Sequence, residues 1–340
     1  MSHQITLTPS GRTFTCEQGE TILTAALRHG INLNYGCRSG SCGTCAGQIL
    51  KGEVYYETET LPALPDAQRI AGGALYCSAI PRAALHIAST EIDVKQTRPP
   101  RRMPGKIVAL DRLSHDVMRV CIKLPEAVRV QFLAGQYLDI FQHGTERRSF
   151  SIANAPHTDE SIELHIRHVD GGEFTDYIFN QMRVNEIVRV EIPLGTFFLR
   201  EASTRPIILM GGGTGFAPLK GILEHALYTR IQRPMHLFWG VRARRDLYLS
   251  ALPTLWQKQN PLIKYTPVLS DPEPQDHWQG ATGWVHEAVL KHYSNLSGFE
   301  AYISGPPIMI KTAHDSFLKA GLPEDRLYSD AFEYNAHPGA

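Results

Sequence analysis

The 340-residue chain reads as a multidomain protein of mixed α+β and α/β class, three modules in a row. Three observations predict this. Cys37, Cys42 and Cys45 crowd one Gly-rich loop while Cys77 stands alone further on. Six short β-type runs with little helix occupy residues 105–200, the pattern of a small antiparallel barrel. From residue 201 onward apolar runs alternate with helical segments, which implies a parallel, doubly wound sheet.

The first module takes residues 1–96. Ile5–Leu7 and Arg12–Cys16 alternate like two strands, with Pro9-Ser10-Gly11 as the turn. Apolar positions recur at helical spacing over Ile22–His29, and Gly30 ends the helix. The loop Tyr35-Gly36-Cys37-Arg38-Ser39-Gly40-Ser41-Cys42-Gly43-Thr44-Cys45 follows, then a strand over Ala46–Leu50 and a Pro-flanked segment over Leu61–Ile70. The spacing C-x4-C-x2-C with a distant fourth cysteine matches the plant-type pattern for a [2Fe–2S] cluster. Glycines between the ligands allow the positive φ and close backbone approach that a loop round an inorganic core needs. A structural zinc site uses four cysteines too, but usually presents two short C-x2–4-C pairs. Disulfides are disfavoured because no secretory segment precedes them.

Bulk properties narrow the function. A hydrophobic content of 43% leaves enough apolar residues for two or three cores. Lys+Arg and Asp+Glu both number 34, and no basic stripe dominates, which argues against a nucleic-acid partner. No apolar window approaches the length of a membrane span. Six cysteines, four of them in one ligand set, fit a reducing cytoplasm. Cys16 and Cys121 lie in strand-like runs and are expected in cores.

Residues 97–104, rich in Pro and Arg without apolar period, read as an interdomain linker. The barrel strands are expected at Lys106–Leu110, Val117–Leu124, Tyr137–Phe141, Ser149–Ala153, Ile162–Val169 and Ile187–Ile192. Inside this module stand Arg148-Ser149-Phe150-Ser151 and His165-Ile166-Arg167, and Gly172-Glu173-Phe174-Thr175 opens a helix. In the third module, residues 201–340, Arg205–Met210 is a continuous apolar run, as a strand buried on both faces requires. Gly211-Gly212-Gly213-Thr214-Gly215-Phe216-Ala217-Pro218 follows, then a helix over Leu219–Tyr228. Strand, Gly-rich turn and helix cradle a dinucleotide pyrophosphate on backbone N–H groups. Alternation continues through His236–Val241, a helix over Leu247–Gln257, Tyr265–Leu269, a helix over Trp284–Tyr293, Ala301–Ser304, a helix over Met309–Ala320, and Leu327-Tyr328.

Taken in order, the modules resemble the ferredoxin–NADP reductase family carrying an N-terminal plant-type ferredoxin, as in reductase components of bacterial phenol, benzoate and methane oxygenases and of a CDP-sugar C-3 dehydrase. The resemblance implies a β-grasp around Cys37, Cys42, Cys45 and Cys77 as cluster ligands, and a six-stranded flavin-binding β-barrel. It places Arg148 and Ser151 against the phosphates and ring of FAD, Phe150 on the isoalloxazine, and Arg167 near the flavin. The turn Gly172–Thr175 would hold the pyrophosphate at a helix N-terminus. Gly212, Gly213, Thr214, Gly215 and Pro218 match the nicotinamide dinucleotide loop, and Gly305, Pro306 and Met309 a second nicotinamide motif. The family usually has Tyr where this chain has Phe150, and Cys where it has Ser304 on the hydride path. Phe332, in Asp330-Ala331-Phe332-Glu333, is either a shield of the flavin ring or a core aromatic; residues beyond it are expected to form a mobile tail.

A nicotinamide gives two electrons together and an iron–sulfur cluster takes one, so a flavin must lie between them. The expected activity is that of an NAD(P)H-dependent reductase passing electrons through FAD and the cluster to a protein acceptor. That acceptor is a diiron or Rieske oxygenase component; the alternative is the CDP-4-keto-6-deoxy-sugar dehydrase. A stand-alone flavin or ferric reductase would leave the cluster unused, and a redox sensor would leave the nicotinamide loop unused. Arg242, Arg244 and Arg245 point to NADPH, but Asp246 and the architecture favour NADH as donor.

Overall fold

The computed structural model describes residues 2–89, 91–92, 99–126, 130–142 and 146–332. They form two compact units, one ending at Pro99 and the other spanning Pro100–Phe332. The expected linker residues 97 and 98, together with Glu333 and the expected tail after it, lie outside the described residues.

In the first unit β1 (His3–Thr8) and β2 (Thr13–Cys16) make the expected antiparallel hairpin. Helix α1 (Ile22–Arg28) starts where Thr21 accepts the Thr24 N–H, and it buries Ile22, Leu23, Ala25 and Ala26. Then come β3 (Ala46–Lys51), β4 (Val54–Tyr55), α2 (Asp66–Ile70), β5 (Gly73–Leu75), β6 (Ile80–Pro81) and β7 (Leu85–Ala88). The main sheet runs β2-β1-β7-β3-β5, with β1 and β7 parallel and the other pairs antiparallel. A mixed sheet packed on one helix is the β-grasp. Its core gathers Ile5, Leu7, Phe14, Leu23, Leu33, Tyr76 and Ile87. Each such side chain, fully buried, contributes roughly 1.5–3 kcal/mol.

The second unit opens with β8 (Arg101–Arg112), β9 (Val117–Lys123), β10 (Tyr137–Gln142), β11 (Glu146–Ser151), β12 (Ile162–Arg167), α3 (Glu173–Asn180) and β13 (Ile187–Leu194). The order β11-β10-β13-β8-β9-β12 is antiparallel throughout. Its two edges meet where Ile152 bridges Leu164 and the Ala153 N–H donates to Glu163 C=O at 2.8 Å. Arg101–Pro104, read from composition as linker, are strand residues paired with Ile192–Arg189. Alternation explains the difference: Met103 and Gly105 are buried while Arg102 and Pro104 face out. Cys121 likewise departs from expectation. It shares the outer, half-exposed face of β9 with Arg119, while Val120 and Ile122 fill the barrel core.

The parallel part contains β14 (Ile207–Gly212), α4 (Phe216–Tyr228), β15 (Met235–Val241), α5 (Ala251–Gln259), β16 (Ile263–Leu269), β17 (Ala281–Thr282), α6 (Val285–His292), β18 (Glu300–Gly305), α7 (Pro307–Lys319) and β19 (Leu327–Ala331). Every neighbour in the order β17-β16-β15-β14-β18-β19 is parallel. Ile207 and Leu209 enter the core on one face of β14, Ile208 and Met210 the core on the other. That is why its sequence is unbroken apolar. Helix α5 starts four residues later than the periodicity predicts, at Ala251. Pro253 is tolerated in its first turn, whereas a start at Leu247 would place it inside the helix, without the N–H that position must donate.

Candidate functional site

The cluster loop lies between α1 and β3. Its curl is built from left-handed backbone at Arg38 (φ 63), Gly40 (φ 82) and Gly43 (φ 78). Ala46 pairs with Leu75, and the Tyr76 N–H donates to Cys45 C=O at 3.1 Å, which brings Cys77 alongside Cys45. The four sulfurs fall into two contacting pairs, Cys37 with Cys42 and Cys45 with Cys77. In each pair one sulfur accepts from the other. The Cys42 hydrogen bond holds the Cys37 thiol down and that of Cys45 holds Cys77 down, while Cys42 and Cys45 are pushed up. The Ser39 N–H points at Cys37 Sγ (3.4 Å) and the Cys37 N–H at Cys42 Sγ (3.5 Å). A Cβ on Gly36 would sit 3.2 Å from Cys42 Sγ. Two thiolate-capable pairs with backbone donors turned toward the sulfur fit a four-cysteine [2Fe–2S] centre.

In the second unit the sequence-chosen residues gather where barrel and parallel sheet meet. Gly213 has φ +57, and its missing Cβ leaves room for Arg167, whose Nη1 would lie 2.8 Å from that atom. Arg167 Nε sits 2.9 Å from the Asp116 carboxylate. A Cβ on Gly215 would overlap the Ser304 carbonyl oxygen, and one on Gly212 would lie 2.6 Å from Met309 Sδ. Gly305, at φ +147, faces Gly212 in turn. The two glycine motifs therefore pack directly on each other, with Pro306 at the N-cap of α7, and side chains at these positions would collide with the protein itself. Thr214 and Pro218 are buried. Trp239 Nε1–H donates to Gly213 C=O at 2.9 Å and stacks on Phe216 at 4.1 Å, which fixes the loop from behind.

On the barrel side Phe150 stacks on Phe174, ring centroids 5.7 Å apart. Arg148, two residues before it on β11, donates to Arg147 C=O at 3.0 Å. Gly172 caps α3, and a Cβ there would lie 2.8 Å from Thr175 Oγ1. The Thr175 hydroxyl is folded back onto its own turn, bonding Val169 and Gly172. Ser304 is fully buried, and the Phe332 N–H donates to Gly305 C=O at 3.0 Å. Arg242 is exposed at the end of β15.

Sequence reasoning assigned no role to four residues here. Asp330 Oδ2 accepts from Ser151 Oγ at 2.6 Å and from Ser304 Oγ at 3.4 Å. Lys220 on α4 is buried, donates to Ala153 C=O (3.2 Å) and pairs with Glu163 (3.3 Å) and Glu224 (3.0 Å). His165 joins Glu163 (2.7 Å) to the Tyr248 hydroxyl (3.1 Å). Burial would raise the Glu163 carboxyl, but His165 and Lys220 outweigh it and hold it down at about 2.

Comparison with known proteins agrees with the geometry. A 2Fe-2S iron-sulfur cluster binding domain matches residues 5–82, an oxidoreductase FAD-binding domain 104–199 and an oxidoreductase NAD-binding domain 209–315. The chain is 37% identical over 332 residues to the CDP-6-deoxy-L-threo-D-glycero-4-hexulose-3-dehydrase reductase of Yersinia pestis, covering 98% of this chain and 99% of that one. The chain belongs to the ferredoxin–NAD(P) reductase family. Reductase component 1 of a Comamonas terephthalate 1,2-dioxygenase is 32% identical over 336 residues, 98% of each chain. The crystal structure of the Amycolatopsis cytochrome P450 reductase GcoB superposes with TM-score 0.83 at 32% identity, covering 98% of this chain and 100% of that one. This reductase is an NAD(P)H-dependent iron–sulfur flavoprotein that transfers electrons. No helix among its described residues is long and apolar enough to cross a membrane.

Proposed function

We propose that this reductase takes hydride from NADH at the Gly211–Pro218 loop and delivers single electrons through its N-terminal cluster to a separate cytoplasmic protein. FAD supplies the exchange between two-electron and one-electron chemistry when bound. The observation that carries the reading is the shared carboxylate of Asp330. It ties Ser151 of the barrel to Ser304 of β18, so the edge assigned to flavin and the motif assigned to nicotinamide meet at one half-buried carboxylate. Ser151 would meet the flavin ring when it is bound, while the buried Ser304 shares the Asp330 carboxylate with it from behind. Phe150 and Phe174 supply the apolar wall that excludes water, with Phe332 at the mouth beside Gly305. Arg148 and the Gly172 turn would hold the flavin phosphates, and Arg167 would lie near the flavin. Gly212, Gly213, Thr214 and Gly215 would present backbone N–H groups to the dinucleotide, and Cys37, Cys42, Cys45 and Cys77 would hold the cluster. The test is anaerobic mixing with NADH: flavin absorbance should bleach first and the cluster signal follow.

Two acceptors fit. The module order supports an oxygenase component. The 37% identity to the Yersinia reductase along almost the whole chain favours the second reading, a dehydrase acting on a CDP-linked 4-keto-6-deoxy sugar. Coupled assays with each purified acceptor class separate them, since only the right one supports NADH turnover that depends on the cluster.

A further inference from the structure

β15 ends at Val241, and the turn after it carries Arg242, Arg244 and Arg245. In doubly wound sheets this position meets the adenosine ribose, where an arginine accommodates a 2′-phosphate and an acid suits a 2′-hydroxyl. Two of the three guanidinium groups are already engaged by residues 271–276. Arg245 Nη2 pairs with Glu273 Oε1 at 3.1 Å, and Arg244 Nη1 donates to Asp276 C=O at 3.1 Å. Asp276 Oδ2 accepts the backbone N–H groups of both Arg244 (3.1 Å) and Glu273 (3.0 Å), so one buried carboxylate locks the two loops together. The Asp271 N–H adds a bond to Arg242 C=O at 2.9 Å. Asp246, the acid nearest in sequence, is buried and accepts the Ala243 N–H at 3.0 Å, so it is spent on the turn itself.

We propose that Glu273 is a specificity-determining residue that selects NADH over NADPH. Its carboxylate neutralises Arg245, so that this guanidinium is not free to receive a 2′-phosphate. The assignment rests on the reading that the Gly211–Pro218 loop receives the nicotinamide donor. Asp276 positions Glu273 and the arginine turn together. Arg245 is well exposed, so the electrostatic effect is screened and modest.

The test uses the full chain and two probes, 2′,5′-ADP and 5′-AMP, with binding followed by calorimetry. Glu273→Gln should tighten 2′,5′-ADP about threefold to tenfold and leave 5′-AMP unchanged, with a matching rise in the NADPH/NADH ratio of kcat/KM. The gain should shrink with added salt and vanish in the Glu273→Gln/Arg245→Ala double variant. Equal tightening of both probes, no tightening, or a gain that survives loss of Arg245 would overturn the assignment. If NADH reduces the flavin of the unsubstituted chain and Glu273→Gln leaves the ratio unmoved, only this assignment falls. If neither dinucleotide reduces it, the donor-loop reading falls and takes the assignment with it.

Discussion

Ser151 Oγ on β11 donates to Asp330 Oδ2 on β19 at 2.6 Å, across 179 positions of sequence. The same oxygen accepts from Ser304 Oγ at 3.4 Å. A hydrogen bond to a charged group contributes roughly 1.5–3 kcal/mol. Asp330→Asn keeps the shape but not the charge. It should lower kcat for NADH-driven ferricyanide reduction by about 10-fold to 100-fold, with KM for NADH changed far less. A change confined to KM would mean that Asp330 serves donor binding and not the transfer.

Asp330 shows where the sequence stops being legible. Its segment is recognisable, but its partners come from two other strands, and nothing in local pattern tells which oxygen meets which serine. Cys37, Cys42, Cys45 and Cys77 were readable because ligand spacing is a local covalent constraint. The glycines at 212–215 were readable because strand, turn and helix are contiguous. β7 left no clear mark, since its place between β1 and β3 depends on parallel pairing with the chain start. Arg101–Pro104 misled because Pro and Arg dominate the composition, while the alternation of Arg102, Met103, Pro104 and Gly105 spans too few residues to stand out.

Arg233 Nη2 and Glu300 Oε2 form a buried pair at 2.6 Å, with side-chain exposures of 5% and 0%. Arg233 also donates to the carbonyls of Arg205 and Arg200. Glu300→Ala leaves a buried cation without its counter-charge and should destabilise the parallel domain by about 3–5 kcal/mol. Urea unfolding followed by tryptophan fluorescence measures it, because Trp239, Trp256, Trp278 and Trp284 all lie in that domain. Arg233→Met/Glu300→Leu should recover part of the loss only, since two carbonyls then lose their donor.

His236 predicts how that domain responds to acid. Its ring bonds the Tyr293 hydroxyl (2.9 Å) and Thr266 Oγ1 (2.8 Å) and stacks on Phe238. Burial, with the nearby charges of His292 and Lys264, pushes its pKa down to about 3. The unfolded chain takes up the proton near the ordinary value of about 6.5, so between those limits the unfolded state binds more protons. Stability from this group is therefore complete above about pH 6.5 and falls as pH drops, by up to about 1.4 kcal/mol per unit. His236→Gln should flatten the pH dependence of the urea midpoint between pH 6.5 and 5. An unchanged slope would exclude this histidine as its source.

Electron order can be tested by cutting the chain at the boundary between its two compact units. A cut at Pro100, not inside the Pro/Arg stretch, keeps β8 whole, and β8 pairs with both β9 and β13. The cores are separate too: Ile5, Leu23 and Ile87 belong to the first unit, whereas the barrel and parallel-sheet cores draw only on the second. Units with their own cores fold largely alone. A fragment starting at Pro100 should therefore bind FAD and oxidise NADH with ferricyanide at a rate within about twofold of the full chain. It should lose most of its activity toward cytochrome c and the natural acceptor, which draw electrons from the cluster. Cys42→Ser in the full chain should reproduce that loss, with the cluster's visible absorbance gone and flavin reduction by NADH intact. If the fragment served the natural acceptor as fast as the full chain, the cluster would lie off the path and would have to be read as a sensor of redox state.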